Sequence, residues 1–292
     1  MKPKSNSNLL STTDKSIPPK LIAILKPTIL LLCIIFIVAF MNLLLHEGGH
    51  ALMNLVLGGK VDVLYVHPFA LDGYVRPFPP VENAWQDAAG NLLAILVGLL
   101  LLIIFWKRRS LKTLPFVFLF PWTAIMAGIG IINLANGTGD YSNIIKLTGM
   151  SSTYFYVLDI VLIIAGIFFF MSLLPLVGLA PGDLRSLFIV PLSLFIWGLI
   201  GVMVAYLTVP GAPIESSYHL GASLIRSAKS YPLIGVILGV ILAIIYLTLY
   251  RIIYRRLPGG LRTNTANLSW KDIRLPALLS SVTIIIGLIL IT

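Results

Sequence analysis

The sequence predicts an all-α polytopic membrane protein of about seven transmembrane helices, with one short β-hairpin-like region at about 61–76 after the first. Three observations lead there. The 292 residues are 58% hydrophobic and only 11% charged, with a mean hydropathy of +0.97, a balance foreign to a water-soluble domain. Apolar runs long enough to cross a bilayer recur at 27–45, 89–106, 115–135, 154–174, 187–209, 232–250 and 275–291. Lys and Arg fall in clusters between these runs, so the formal net charge of +10 reads as a topology signal and implies no nucleic-acid partner.

Residues 1–26 are rich in Ser, Asn, Lys and Pro and read as a mobile tail. The first run has a basic flank but no small-x-small cleavage site, so it reads as a retained span. It leads straight into His46-Glu47-Gly48-Gly49-His50, and the helix should continue through Val56 until Gly58 and Gly59 stop it. The period then changes. Val61, Val63 and Tyr65 alternate with Asp62 and Leu64, and Gly73 to Arg76 forms a second extended piece before Pro77, Pro79 and Pro80. An isolated hairpin is marginal in water, so it should pack on the helices.

The basic clusters Lys2–Lys26, Lys107–Lys112 and Arg251–Arg274 share one side if seven spans are right. Positive-inside bias makes that side the cytoplasm, puts the N-terminus in it and places the histidine motif outside the cell membrane. Cys33 is the only cysteine, which excludes an intrachain disulfide or a cysteine-type zinc site. Residues 27–150 form the expected functional core; 151–292 supply further spans as gate or scaffold.

H-E-x-x-H has a physical meaning on a helix. His46 and His50, four residues apart, share a face and can hold one Zn²⁺, while Glu47 is placed to act as general base on a water. Such a site needs a third protein ligand. His67, Asp72, Glu82, Asp87, Asp140, Glu215 and His219 are the ionisable groups on the expected side. Asp140 is best placed, because it ends the Gly- and Asn-rich break Asn133-Leu-Ala-Asn136-Gly137-Thr-Gly139-Asp140 directly after the third span.

These elements together resemble the site-2 proteases, zinc enzymes that cut polypeptides within or beside membranes. The histidine motif looks like theirs, Gly58 to Val75 is similar to their strand region, and Ala89-Gly90-Asn91 matches their Ala-Gly-Pro with Asn91 in place of proline. Asn133 to Asp140 resembles the segment carrying their third ligand, with Tyr141 where glycine usually follows. The resemblance covers roughly 40–145 and implies Zn²⁺ on His46, His50 and Asp140, Glu47 as catalytic base, and a membrane protein or peptide as substrate. Asn133 or Asn136 would serve as donor to the substrate or its oxyanion. The expected orientation is the inverse of the usual one in that family. Two other readings compete: an inactive relative that binds a membrane partner, and an ion or solute transporter, which would spread polar residues over several spans.

Overall fold

The computed structural model describes residues 19–67, 72–78, 83–180, 183–208 and 268–291, with single helical positions at 248, 252 and 255. Its elements are α1 (Pro19–Val56), β1 (Lys60–His67), β2 (Asp72–Phe78), α2 (Ala84–Trp106), α3 (Leu114–Gly128), α4 (Gly130–Ala135), α5 (Gly139–Thr148), α6 (Ser152–Leu173), a 3₁₀ turn (Leu174–Val177), α7 (Ser186–Thr208) and α8 (Trp270–Ile291). Four helical segments are long and apolar enough to cross a membrane: Leu21–Val56, Ala84–Trp106, Leu114–Ala135 and Ser152–Val177. Helices α7 and α8 stand where the fifth and seventh spans are expected. The sixth, at 232–250, lies outside the described residues save position 248, as do Glu82, Glu215 and His219.

Helix α1 is the hub, packing against α2, α3, α7, α8 and both strands. Its Leu30, Leu31, Ile34 and Ile35 are fully or almost fully buried, together with Leu114, Val117 and Phe118 of α3. The outward faces are as apolar as the core. On α2, Leu92, Leu96, Leu100 and Ile103 recur three or four residues apart and are all exposed; on α6, Val157, Ile160, Val161 and Ile164 are likewise exposed along one stripe. A helix that is apolar all round fits a lipid surround.

Two boundaries differ from the sequence expectation. Helix α1 begins at Pro19, so residues 19–26 belong to it and not to a mobile tail, and Pro27 sits inside it. Proline has no N–H and leaves the carbonyl four residues earlier without its helical donor. That carbonyl belongs to Ala23, and Arg185 supplies the missing bond, Nη1 donating to it over 3.1 Å. Arg185 is itself held by Asp183 through Nε, at 2.8 and 3.1 Å from the two carboxylate oxygens. Nearby, Lys26 Nζ donates to the Leu268 carbonyl at 2.9 Å. The start of α1, the α6–α7 connection and the start of α8 are thereby joined at one end of the bundle.

The third span is also two helices and not one. Gly128 and Gly130 flank the break at Ile129. Close packing on α6 explains Gly128, since a Cβ there would stand 2.8 Å from the Asp159 carbonyl oxygen. Asp159 itself is completely buried on α6, its carboxyl facing the Tyr141 side chain of α5.

At the far end of α1, Gly58 takes a left-handed φ of 83° and the Gly59 N–H closes on the Asn54 carbonyl at 3.0 Å, ending the helix as expected. The two strands then pair antiparallel, Tyr65 opposite Tyr74 and Val66 opposite Gly73, with an irregularity between Val61 and Val63. Stacked Tyr65 and Tyr74 rings lie 5.1 Å apart. Fully buried Asn54 ties the hairpin down, its Nδ2 donating to the Lys60 carbonyl at 2.7 Å.

Candidate metal centre

The helical pitch places His46, His50 and Asn54 on one face of α1. His46 and His50 present their Nε2 atoms to each other at 3.2 Å, with the rings edge to face. From Lys26, bound at the opposite end of the bundle, His46 is twenty residues further along the helix, about 30 Å, which is one hydrocarbon thickness.

Neither glycine of the motif favours helix, but they act differently. At Gly48 an added Cβ meets nothing within 4 Å, whereas at Gly49 it would press on the backbone of α2, 2.8 Å from the Ala89 carbonyl carbon and 2.9 Å from Gly90 Cα. Gly49 therefore permits the close crossing of α1 and α2. Gly90, on α2, makes room for the His50 ring in turn: its Cβ would stand 2.7 Å from His50 Cε1.

This crossing has a chemical result. The Asn83 side chain caps α2 by accepting the Trp85 N–H at 2.8 Å, and the Gln86 carbonyl in the first turn lies 2.6 Å from His50 Nδ1. A carbonyl only accepts, so Nδ1 carries a proton, and Nε2, the atom facing His46, is the one that would offer its lone pair to a metal once deprotonated.

Asp140 reaches the same place from α5. The turn before it is set by Gly137 and Gly139, with φ of 70° and 78°, and by the Thr138 N–H donating to the Asn133 carbonyl at 2.9 Å. Asp140 stands in the first turn of α5, where the helix dipole favours a carboxylate. Its Oδ2 is 3.4 Å from His46 Nε2 and 3.6 Å from His50 Nε2. Burial on its own would raise the Asp140 carboxyl, but the His50 hydrogen bond and the two imidazoles outweigh it and hold the group below the usual carboxylate range.

Three possible ligand atoms thus face one point. Tetrahedral zinc with ligands at 2.0–2.1 Å has ligand atoms about 3.3 Å apart, and the triangle here has edges of 3.2, 3.4 and 3.6 Å. With Nδ1 committed to Gln86, either a proton on His50 Nε2 shared with Asp140 or a cation in its place relieves the mutual repulsion of these atoms, and the spacing and donor types fit a metal ion. His46, His50 and Asp140 are the one such group of His, Cys, Asp and Glu among the described residues.

Glu47 is 5% exposed and lies under the hairpin, so close that a Cβ on Gly73 would be 2.9 Å from its Oε1. It is also within electrostatic reach of His50. Asn133 and Asn136 are exposed on the turn that leads to Asp140, and neither makes a hydrogen bond to the triangle among the described residues. His67 ends β1 opposite Asp72, and Asp87 sits beside the centre on α2 without joining the triangle.

One polar side chain at the centre lies outside the ligand set expected from sequence. Asn91 donates through Nδ2 to Asp140 Oδ2 at 3.4 Å. Its replacement of the proline expected there was the available signal. Gln86 contributes only a backbone carbonyl, which leaves no trace in residue identity. No protein-family model, curated protein or solved structure matches the chain.

Proposed function

We propose that the protein is a zinc-dependent intramembrane endopeptidase of the site-2 protease kind, hydrolysing peptide bonds of membrane-embedded or membrane-adjacent polypeptides. The observation that carries this reading is the convergence of His46, His50 and Asp140 with edges of 3.2–3.6 Å beside a buried Glu47. Zn²⁺ bound there supplies a Lewis acid that acidifies water and polarises a carbonyl.

The chain's own residues do the rest. Glu47 takes the proton of the attacking water as its oxygen bonds to the peptide carbon, then delivers that proton to the amine as the C–N bond breaks. Gln86 orients the His50 ring through Nδ1, and the first turn of α5 presents Asp140 ionised. The hairpin covers Glu47 and limits water. A transmembrane helix hides its carbonyls in internal hydrogen bonds and must open to be cut; an unwound segment could pair beside the β strands.

The test is cleavage of a doubly tagged single-span polypeptide co-reconstituted with the full chain in liposomes. Wild type should cut it, chelation should stop the cutting, and Glu47→Gln should lose activity by at least about a hundredfold. Equal cleavage by Glu47→Gln disposes of the mechanism. A reporter fused after Lys112 tests orientation; our reading expects it in the cytoplasm.

A further inference from the structure

We propose that Asn91 is a positioning residue of the metal centre, a neutral amide that steadies Asp140 without adding a further carboxylate to the donor set. This rests on reading His46, His50 and Asp140 as metal ligands.

The argument begins with atoms. Asn91 Nδ2 donates to Oδ2 of Asp140, and that is the oxygen facing both imidazoles. The same amide lies within hydrogen-bonding reach of the His46 ring. It therefore borders the edge of the triangle defined by His46 and Asp140. A carboxylate oxygen that ligates a metal retains a lone pair, and a fixed N–H on it holds the carboxylate in one rotamer.

The chain's connectivity makes that hold necessary. Asp140 comes from a ten-residue helix that opens on left-handed Gly139, with left-handed Gly137 just before it, whereas the histidines ride on a 38-residue helix. Asn91 sits on α2, the helix whose first turns already bind the His50 Nδ1 proton and accommodate its ring. Helix α2 thus registers the ligand from α5 against the ligands from α1.

Residue type matters at this position. A Leu could fill the space but not donate, and a carboxylate would be a strong fourth ligand. Closed four-ligand zinc sites are structural, while catalytic ones keep a vacancy. An amide satisfies both demands.

The test is titration of full-length protein in detergent with Zn²⁺ against a chromophoric chelator, and with Co²⁺ followed by its visible spectrum. Asn91→Leu should bind Zn²⁺ roughly 10–100-fold more weakly and shift the Co²⁺ bands; Asn91→Ala, which only removes atoms, is the second variant should Asn91→Leu misfold. Asn91→Asp should bind Zn²⁺ more tightly than wild type and lose peptidase activity. Wild-type affinity and an unchanged Co²⁺ spectrum in Asn91→Leu or Asn91→Ala overturn the proposal, as does weaker binding by Asn91→Asp. These readouts do not depend on peptidase activity: a wild type that binds metal but cuts nothing defeats the enzyme reading alone. A wild type that binds no metal defeats both.

Discussion

Adjacent glycines in His46-Glu47-Gly48-Gly49-His50 should respond oppositely to the same methyl group. At Gly48 a Cβ meets nothing within 4 Å, so Gly48→Ala adds helix propensity of about 1 kcal/mol without a clash. At Gly49 the methyl would stand 2.8 Å from the Ala89 carbonyl carbon, and ordinary contact begins at 3.4 Å, so α2 must retreat by about 0.6 Å or more. Its neighbours there are backbone atoms and cannot rotate aside. Overpacking of this kind costs about 1–3 kcal/mol, which exceeds the propensity gain. The retreat also stretches the 2.6 Å bond between His50 Nδ1 and Gln86 toward the limit of hydrogen bonding and carries Asn91 away from Asp140. Zn²⁺ affinity of Gly49→Ala should therefore fall by about 10–100-fold, the usual effect of losing a ligand's supporting bond, with a lowered melting temperature in detergent. Gly48→Ala should match or exceed wild type in both measurements. Indistinguishable variants would refute the reasoning, because the α1–α2 crossing would then not depend on Gly49.

Enlarging Gly73 should separate chemistry from metal binding. Gly73→Val pushes against Glu47, so cleavage should drop at least tenfold while Zn²⁺ affinity stays within about threefold of wild type; parallel losses would place the hairpin's effect on the ligands. Asp159→Asn preserves volume and the contact with Tyr141 while removing a buried ionisable group, so the melting temperature at neutral pH should rise by a few degrees. A fall would show that the carboxyl has a stabilising partner. The Asp183–Arg185 pair should make the bundle end acid-sensitive. Burial by itself would raise Asp183, but Arg185 holds it below its ordinary 3.8, so its stabilisation is present above that pH and is lost as pH drops through the lower folded value. Melting curves between pH 5 and about 2.5 should show a smaller acid-induced decline for Asp183→Asn than for wild type; equal declines would mean that the pair contributes nothing measurable.

Some of this was open to reading along the chain. A four-residue spacing on a 3.6-residue helix puts His46 and His50 on one face whatever the surroundings. Gly58 ends α1 because it alone tolerates the left-handed turn there, and the alternation from Val61 to Tyr65 makes a strand. These are local rules, acting over a few residues. Asp140 was legible as a ligand candidate only from its place after an apolar span. Its arrival within 3.6 Å of both histidines depends on the packing of α5 against α2, ninety residues along the chain from His50.

The remainder was settled by tertiary structure. Nothing near Pro27 announces that Arg185 will complete its helix, and nothing near His50 announces the Gln86 carbonyl, because backbone acceptors are the same at every residue. The two glycines of the motif look alike in sequence and differ only in which neighbour stands above them. Sequence by itself determined the membrane character, the donor types and their local spacing. Tertiary packing decided which donors meet, how the His50 ring is oriented and what holds Asp140 beside it, since those depend on distances between helices that periodicity does not encode.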